Sequence, residues 1–250
     1  MDLGLTDRTV LVTGASGDIG REAARAFAAE GARVALGYAH HRETAARLVA
    51  ELGAERAVAV RYDLTDPGSV APALSIVERR FGPVEVYVAA GIAPPAWPVQ
   101  STAFEEVPVD DWVPFLRGNV EQTLRTVQLV LPGMRRHGWG RITFVSTHLV
   151  RQGRPGRGFY TAAKAALHGL SRSLAWDAGG DGVLVNVVCP GLTVAGRAGA
   201  VPETVLNEEA GRTPSGRLSR PADIARAVVF VSSAANGNIT GEVLTVAGGR

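Results

Sequence analysis

The sequence predicts an α/β fold: one doubly wound domain whose parallel sheet carries helices on both faces. Three observations predict it. Short apolar runs recur along the 250 residues with longer amphipathic stretches between most of them. The runs read as continuous Val/Ala/Leu instead of alternating with polar residues, the pattern of strands covered on both sides. The strand-helix-strand succession then implies parallel neighbours joined by right-handed crossovers. With 46% hydrophobic residues and 30 glycines, residues 1–250 suit a single domain around one sizeable core.

Strands are expected at 8–13, 33–38, 56–62, 84–89, 141–147, 183–188 and 242–246. The first runs into Thr13-Gly14-Ala15-Ser16-Gly17-Asp18-Ile19-Gly20 and a helical stretch from Arg21 to Ala28. Glycines in such a turn let the backbone approach a pyrophosphate, and the helix N-terminus offers free N–H groups and a positive dipole end. Gly14, Ser16, Asp18, Ile19 and Gly20 are therefore candidate dinucleotide contacts, which makes the sheet Rossmann-type. The second strand ends Tyr38-Ala39-His40-His41-Arg42, with no acid before Glu43. An acid there would hydrogen-bond a ribose 2′-hydroxyl, whereas two histidines and an arginine can meet a 2′-phosphate. Tyr38, His40, His41 and Arg42 thus point to NADP(H). After the fourth strand, Pro94-Pro95-Ala96-Trp97-Pro98 reads as a loop, and the glycine- and proline-rich 192–216 as a lid over a ligand.

Composition narrows the function classes. The formal charge of +2 comes from scattered arginines, so nothing supports a nucleic-acid partner, which needs a clustered basic face. No run approaches the roughly 18 apolar residues of a membrane span, and Met1-Asp2-Leu3-Gly4 is not a basic leader, so a soluble, cytoplasmic protein is expected. The one cysteine, Cys189, excludes an internal disulfide and a cysteine metal cluster, and its apolar setting reads as a buried bystander; no metal site is expected.

Of the 26 Lys+Arg residues only Lys164 is lysine, and it lies four residues after Tyr160. Residues four apart on a helix share a face, so a phenol and an ammonium can address one site. A nearby cation favours the phenolate and is expected to lower the Tyr160 pKa towards neutrality. Lysine gives a compact charge with rotatable donors, where arginine's planar fork needs a wider site and never releases its proton.

With these residues placed, the chain resembles the short-chain dehydrogenase/reductase family over essentially its whole length, and 3-oxoacyl-carrier-protein reductases in particular. Thr13-Gly14…Gly20, Asp63 in Tyr62-Asp63-Leu64, Asn119 in Gly118-Asn119-Val120, Tyr160/Lys164, Asn186…Pro190-Gly191, Gly216-Arg217-Leu218, Ile239-Thr240-Gly241 and Gly248-Gly249 fall in the family's order and spacing. The resemblance implies that Tyr160 exchanges the proton with the substrate oxygen. Lys164 would hold the nicotinamide ribose and tune Tyr160, and Asn119 would keep a relay water. The position of the family's catalytic serine is Thr147, with Ser146 before it as the other candidate hydroxyl. Asp63, Leu64, Ala90, Gly91, Pro190, Gly191 and Thr193 would complete the cofactor contacts, together with Tyr160 and Lys164.

Departures from the family pattern accompany the resemblance. Asp18 replaces the middle glycine of the turn; an aspartate there can cap the following helix, but its charge opposes a pyrophosphate, so it is expected to point away. Tyr87-Val88-Ala89-Ala90-Gly91 is one residue shorter than the usual fourth-strand ending, so backbone groups must support a cofactor there. Alanine stands after Val194 where the family often has a threonine, which leaves Thr193 as a substitute near the carboxamide. Trp176 occupies a position often basic in carrier-protein-using members, while Arg135, Arg136, Arg151, Arg154 and Arg157 are the candidates for an acidic carrier.

The reading is an NADPH-dependent ketoreductase for a β-keto substrate, 3-oxoacyl or polyketide-like, free or tethered to a carrier protein. An alcohol, sugar or steroid dehydrogenase of the same family is the alternative within the enzyme class, and a non-catalytic nucleotide-binding sensor or scaffold the one outside it. The resemblance also implies a homotetramer built through the helix near 158–178 and the C-terminal segment.

Overall fold

The computed structural model describes residues 2–93, 103–194 and 202–250. Seven parallel strands form one sheet in the order β3-β2-β1-β4-β5-β6-β7: β1 Thr9–Thr13, β2 Arg33–Tyr38, β3 Ala57–Arg61, β4 Val86–Ala89, β5 Gly140–Val145, β6 Val183–Pro190 and β7 Val243–Val246. The expected strands are all present, with every end within two residues of expectation. Between β1 and β4 the strand order reverses, which opens a crevice at the carboxyl ends.

Because the central strands are covered on both sides, their alternate residues enter two different cores. Leu11, Ala35, Tyr87, Ile142 and Val185 pack with α3 (Val70–Phe81), α4 (Val109–His137) and α6 (Gly158–Ala178) through Val77, Val127 and Leu167. Val10, Val12, Val34, Leu36 and Val86 pack with α1 (Asp18–Ala29) and α8 (Pro221–Val231) through Phe27, Ile224 and Val228. A fully buried side chain such as Phe27 contributes about 2–3 kcal/mol. The remaining α-helices among the described residues are α2 (Arg42–Leu52), the short α5 (Leu149–Gln152) and α7 (Glu203–Gly211). No described helix is long and apolar enough to cross a membrane.

The amino-terminal end of β5 is closed by Arg141, which is 5% exposed. Its guanidinium donates to the carbonyls of Ser233 (3.1 Å), Asn236 (3.1 Å), Gly140 (2.8 Å) and Gly182 (3.2 Å), and lies 4.5 Å from the centre of the Trp139 ring. This joins β5, the turn before β6 and the chain after α8 at one point.

Candidate active site

The glycine turn connects β1 to α1. Gly14 adopts φ +67°, and a Cβ there would lie 2.7 Å from Gly91 Cα and 2.8 Å from the Ala90 carbonyl. A Cβ on Gly20 would lie 2.3 Å from the Gly14 carbonyl. Only glycines let these backbones come together. The N-cap of α1 is Gly17, whose position brings no side chain to the first-turn amides, so they remain available to an anion. Asp18 is the first residue of α1 and not its cap, and its carboxylate accepts from Arg21 at 3.1 Å.

A cleft of about 260 Å³ opens beside this turn, and Gly14, Ser16, His40, His41, Asp63, Leu64, Ala90 and Gly91 all line it. Tyr62 and Ile92, not anticipated from sequence, line it too. Tyr38 closes β2, His41 is the N-cap of α2 and Arg42 its first, exposed residue. No carboxylate stands between the end of β2 and Glu43. Asp63 is buried, with Oδ1 accepting from the Thr65 amide (2.9 Å) and hydroxyl (2.7 Å). On the other side of the sheet centre, Pro190 ends β6 and the Gly191 amide just after it donates to the Val246 carbonyl at 3.0 Å. The Thr193 hydroxyl donates to the Gly191 carbonyl at 3.0 Å, folded back on its own turn.

Four polar side chains, the buried Asn119, Thr147 and Lys164 and the half-buried Tyr160, gather past the ends of β4, β5 and β6. Asn119, on α4, accepts from the Ala93 amide through Oδ1 (3.0 Å) and donates to the Phe115 carbonyl through Nδ2 (2.8 Å). Its side-chain amide thus ties the segment after β4 to α4. Tyr160 and Thr147 are hydrogen-bonded to each other through their side chains, and Lys164 Nζ donates to the Val145 carbonyl at 2.9 Å. Ser146 turns the other way: its hydroxyl meets the Lys164 carbonyl (3.3 Å) and His168 Nε2 (2.9 Å).

The electrostatics differ from the sequence expectation. Burial raises the Tyr160 pKa, the Thr147 hydrogen bond and the Arg157 charge oppose that rise, and Lys164 is not among its causes. Burial acts on the lysine as well, lowering Lys164 to about 8. Spacing along the helix revealed the shared face but not the dry surroundings, and here desolvation is the larger effect on both groups. Cys189, expected to be a bystander, lies with its Sγ 3.5 Å from His168 Nε2.

Around this centre, Arg157 precedes α6 and burial lowers its pKa to about 10. Phe159 stacks between Phe104 (ring centres 4.8 Å apart) and Trp112 (5.2 Å). Arg151 lines a hollow of about 550 Å³ with His148, Arg212 and Arg250, whereas Arg135 is engaged with Asp181 and the Asp177 carbonyl. The loop at Pro94–Pro98 lies outside the described residues. Of the stretch 192–216, residues 195–201 lie outside them, and α7 occupies half of the remainder.

A family profile described as Enoyl-(Acyl carrier protein) reductase matches residues 14–250. The chain belongs to the short-chain dehydrogenase/reductase family. Acetoacetyl-CoA reductase of Shinella zoogloeoides is 35% identical over 97% of this chain and 98% of its own. L-rhamnose 1-dehydrogenase (NAD(P)(+)) of a Sphingomonas strain is 37% identical over 98% and 96%, and 3-oxoacyl-[acyl-carrier-protein] reductase of Escherichia coli 33% identical over 97% and 96%. A solved short-chain dehydrogenase/reductase from Brucella melitensis, designated a glucose/ribitol dehydrogenase, superimposes with a TM-score of 0.87 at 28% identity, covering 100% of this chain and 98% of that one. As a short-chain dehydrogenase/reductase, the chain is an oxidoreductase of CH–OH/C=O groups that works with a nicotinamide cofactor. The close-set glycines of the turn and the uncapped start of α1 fit the pyrophosphate of such a cofactor.

Proposed function

We propose that the chain is an NADPH-dependent ketoreductase that converts a β-keto substrate, 3-oxoacyl or polyketide-like and free or carrier-tethered, to its hydroxy product. The hydrogen-bonded Tyr160–Thr147 pair next to buried Lys164 carries this reading. The bound nicotinamide supplies hydride to the carbonyl carbon. Tyr160, held protonated at neutral pH by burial, donates its proton to the developing alkoxide, and Thr147 hydrogen-bonds that oxygen and orients the phenol. Lys164 holds the nicotinamide ribose and takes part in reprotonating Tyr160. Asn119 fixes the α4 backbone beside the relay. His40, His41 and Arg42 meet the 2′-phosphate, and Ser16, Asp63, Leu64, Ala90, Gly91, Pro190, Gly191 and Thr193 shape the rest of the cofactor groove. The relatives named for acetoacetyl-CoA and 3-oxoacyl-carrier-protein reduction support a thioester substrate. The similar identity to a sugar dehydrogenase keeps alcohol or sugar oxidation as the second reading.

The same reading places the enzyme in the cytoplasm as a homotetramer, supported by the exposed Trp176 on α6 and the exposed Val243 and Leu244 on β7. The test is initial rates with NADPH and NADH across acetoacetyl-CoA, carrier-tethered 3-oxoacyl thioesters, cyclic ketones and sugars. We expect thioester reduction at least about tenfold faster with NADPH, and a loss of about 10³-fold in Tyr160→Phe. A clear NADH preference, or sugar oxidation without thioester reduction, overturns it.

A further inference from the structure

Tyr160, Lys164 and His168 stand at i, i+4 and i+8 on α6, a single row down one helix face. The row meets three consecutive residues at the end of β5. Tyr160 bonds the Thr147 side chain, Lys164 bonds the Val145 carbonyl, and His168 bonds the Ser146 hydroxyl at 2.9 Å. Ser146 is fixed from the other side by its amide, which donates to the Val188 carbonyl of β6 at 2.8 Å. Cys189, the next residue of β6, faces the same point: its Sγ is 3.5 Å from His168 Nε2, and it interacts with the Ser146 side chain, the Thr147 backbone and the Lys164 charge.

We propose that His168 is a positioning residue, the third member of the row, which holds Ser146 and Cys189 so that Thr147 and Lys164 keep their places against Tyr160. The inference rests on the reading of Tyr160 as the proton donor. His168 itself touches neither Tyr160 nor the substrate side of Thr147 in any described contact. With Nε2 carrying its proton, it donates to Ser146 Oγ, which leaves the Ser146 proton for the Lys164 carbonyl, so the bonds form one continuous chain from helix to strand. Burial lowers the His168 pKa, so the ring is neutral at pH 7 and adds no second cation beside Lys164. Displacing Thr147 by a fraction of an ångström weakens its bond to Tyr160, and misplacement near 1 Å can cost about 10²-fold in rate.

The test uses His168→Leu, His168→Gln and Ser146→Ala in the full chain, with acetoacetyl-CoA and NADPH as the probe. His168→Leu should lower kcat about 10-fold or more with KM unchanged, His168→Gln should restore most of it because its amide nitrogen reaches the same point, and the double variant His168→Leu/Ser146→Ala should lose no more than the worse single one. A readout independent of turnover is the ultraviolet phenolate titration of Tyr160, taken as the difference between proteins with and without Tyr160→Phe. It should move upward by about half a pH unit or more in His168→Leu, because the Thr147 bond that opposes the rise is loosened. Thr147→Ala should produce the same shift, and adding His168→Leu to it should change nothing. An unmoved Tyr160 titration in a folded His168→Leu protein overturns the proposal, as does wild-type kcat. If Tyr160→Phe keeps full activity, the reading of the site fails, whatever His168 does; a dead Tyr160→Phe beside a wild-type His168→Leu removes this inference alone.

Discussion

Strand β5 has a buried cation at each end, and the two are used in opposite ways. At the amino-terminal end Arg141 makes four hydrogen bonds to backbone carbonyls from three segments and rests near Trp139. At the carboxyl-terminal end Lys164, 6% exposed, makes one, to Val145. Burial lowers both pKa values, Arg141 to about 10 and Lys164 to about 8. Neither has a carboxylate partner among the described residues. The arginine compensates its desolvation with nearly every donor it owns, while the lysine uses one of its three donors among the described residues. Unpaired capacity of that kind is stability forgone. It lies where a ligand can use it, and a structural cation has no such reserve.

The difference can be broken most forcefully at the structural end. Arg141→Met removes its donors from four carbonyls, of which Gly182 keeps the Gly140 amide, at about 1–3 kcal/mol for each group left unsatisfied. Relaxation and water entry will recover part of this, so we expect a loss of about 4 kcal/mol in urea unfolding with kcat per folded molecule unchanged. A stability change under about 1 kcal/mol would show that the network is ornamental to folding.

At the site end, Lys164→Arg tests whether the reserve is specific. The charge is kept, but the planar fork needs more room than the space beside Val145 and Tyr160 gives and cannot release a proton. Activity should fall at least about 100-fold, about 3 kcal/mol in the transition state, while thermal unfolding moves by only a few degrees. Turnover close to wild type would mean that the lysine serves only as a charge and that its survival among 25 arginines carries no chemical meaning.

This contrast explains what the sequence did and did not disclose. Continuous apolar runs and a glycine turn report on periodicity and local backbone, which is why all seven strands and the turn before α1 were legible, although α1 begins at Asp18, three residues before the expected Arg21. The spacing of Tyr160 and Lys164 is also local, one turn of one helix. Arg141 looked like one more scattered arginine, because its partners at Gly182, Ser233 and Asn236 come together only in the tertiary fold. The same holds for His168, whose signal was present as the next step of the four-residue spacing yet acquires meaning only when Ser146 and Cys189 arrive from β5 and β6. The direction of the Tyr160 pKa was misread for a related reason: a neighbouring charge shows in a sequence, and dryness does not.

The smallest effect is a stability change whose sign depends on pH. Lys164 moves from an ordinary 10.5 to about 8 on folding, so between those values the unfolded chain binds more protons than the folded one and stability rises with pH. Below about pH 8 the full cost is present, about 3 kcal/mol for such a gap; above 10.5 it is gone. Lys164→Met abolishes the cost but leaves the Val145 carbonyl without that donor, a loss of about 1 kcal/mol. The variant should therefore be about 2 kcal/mol more stable than the wild type at pH 7, lose that advantage as pH rises through 8 to 10, and be slightly less stable by pH 10.5. Urea unfolding of both proteins in matched buffers measures the difference directly, with the other titrating groups cancelling between them. A variant less stable at pH 7, or a difference that does not change with pH, would place Lys164 with Arg141 as a satisfied structural cation and remove the distinction between the two ends of β5.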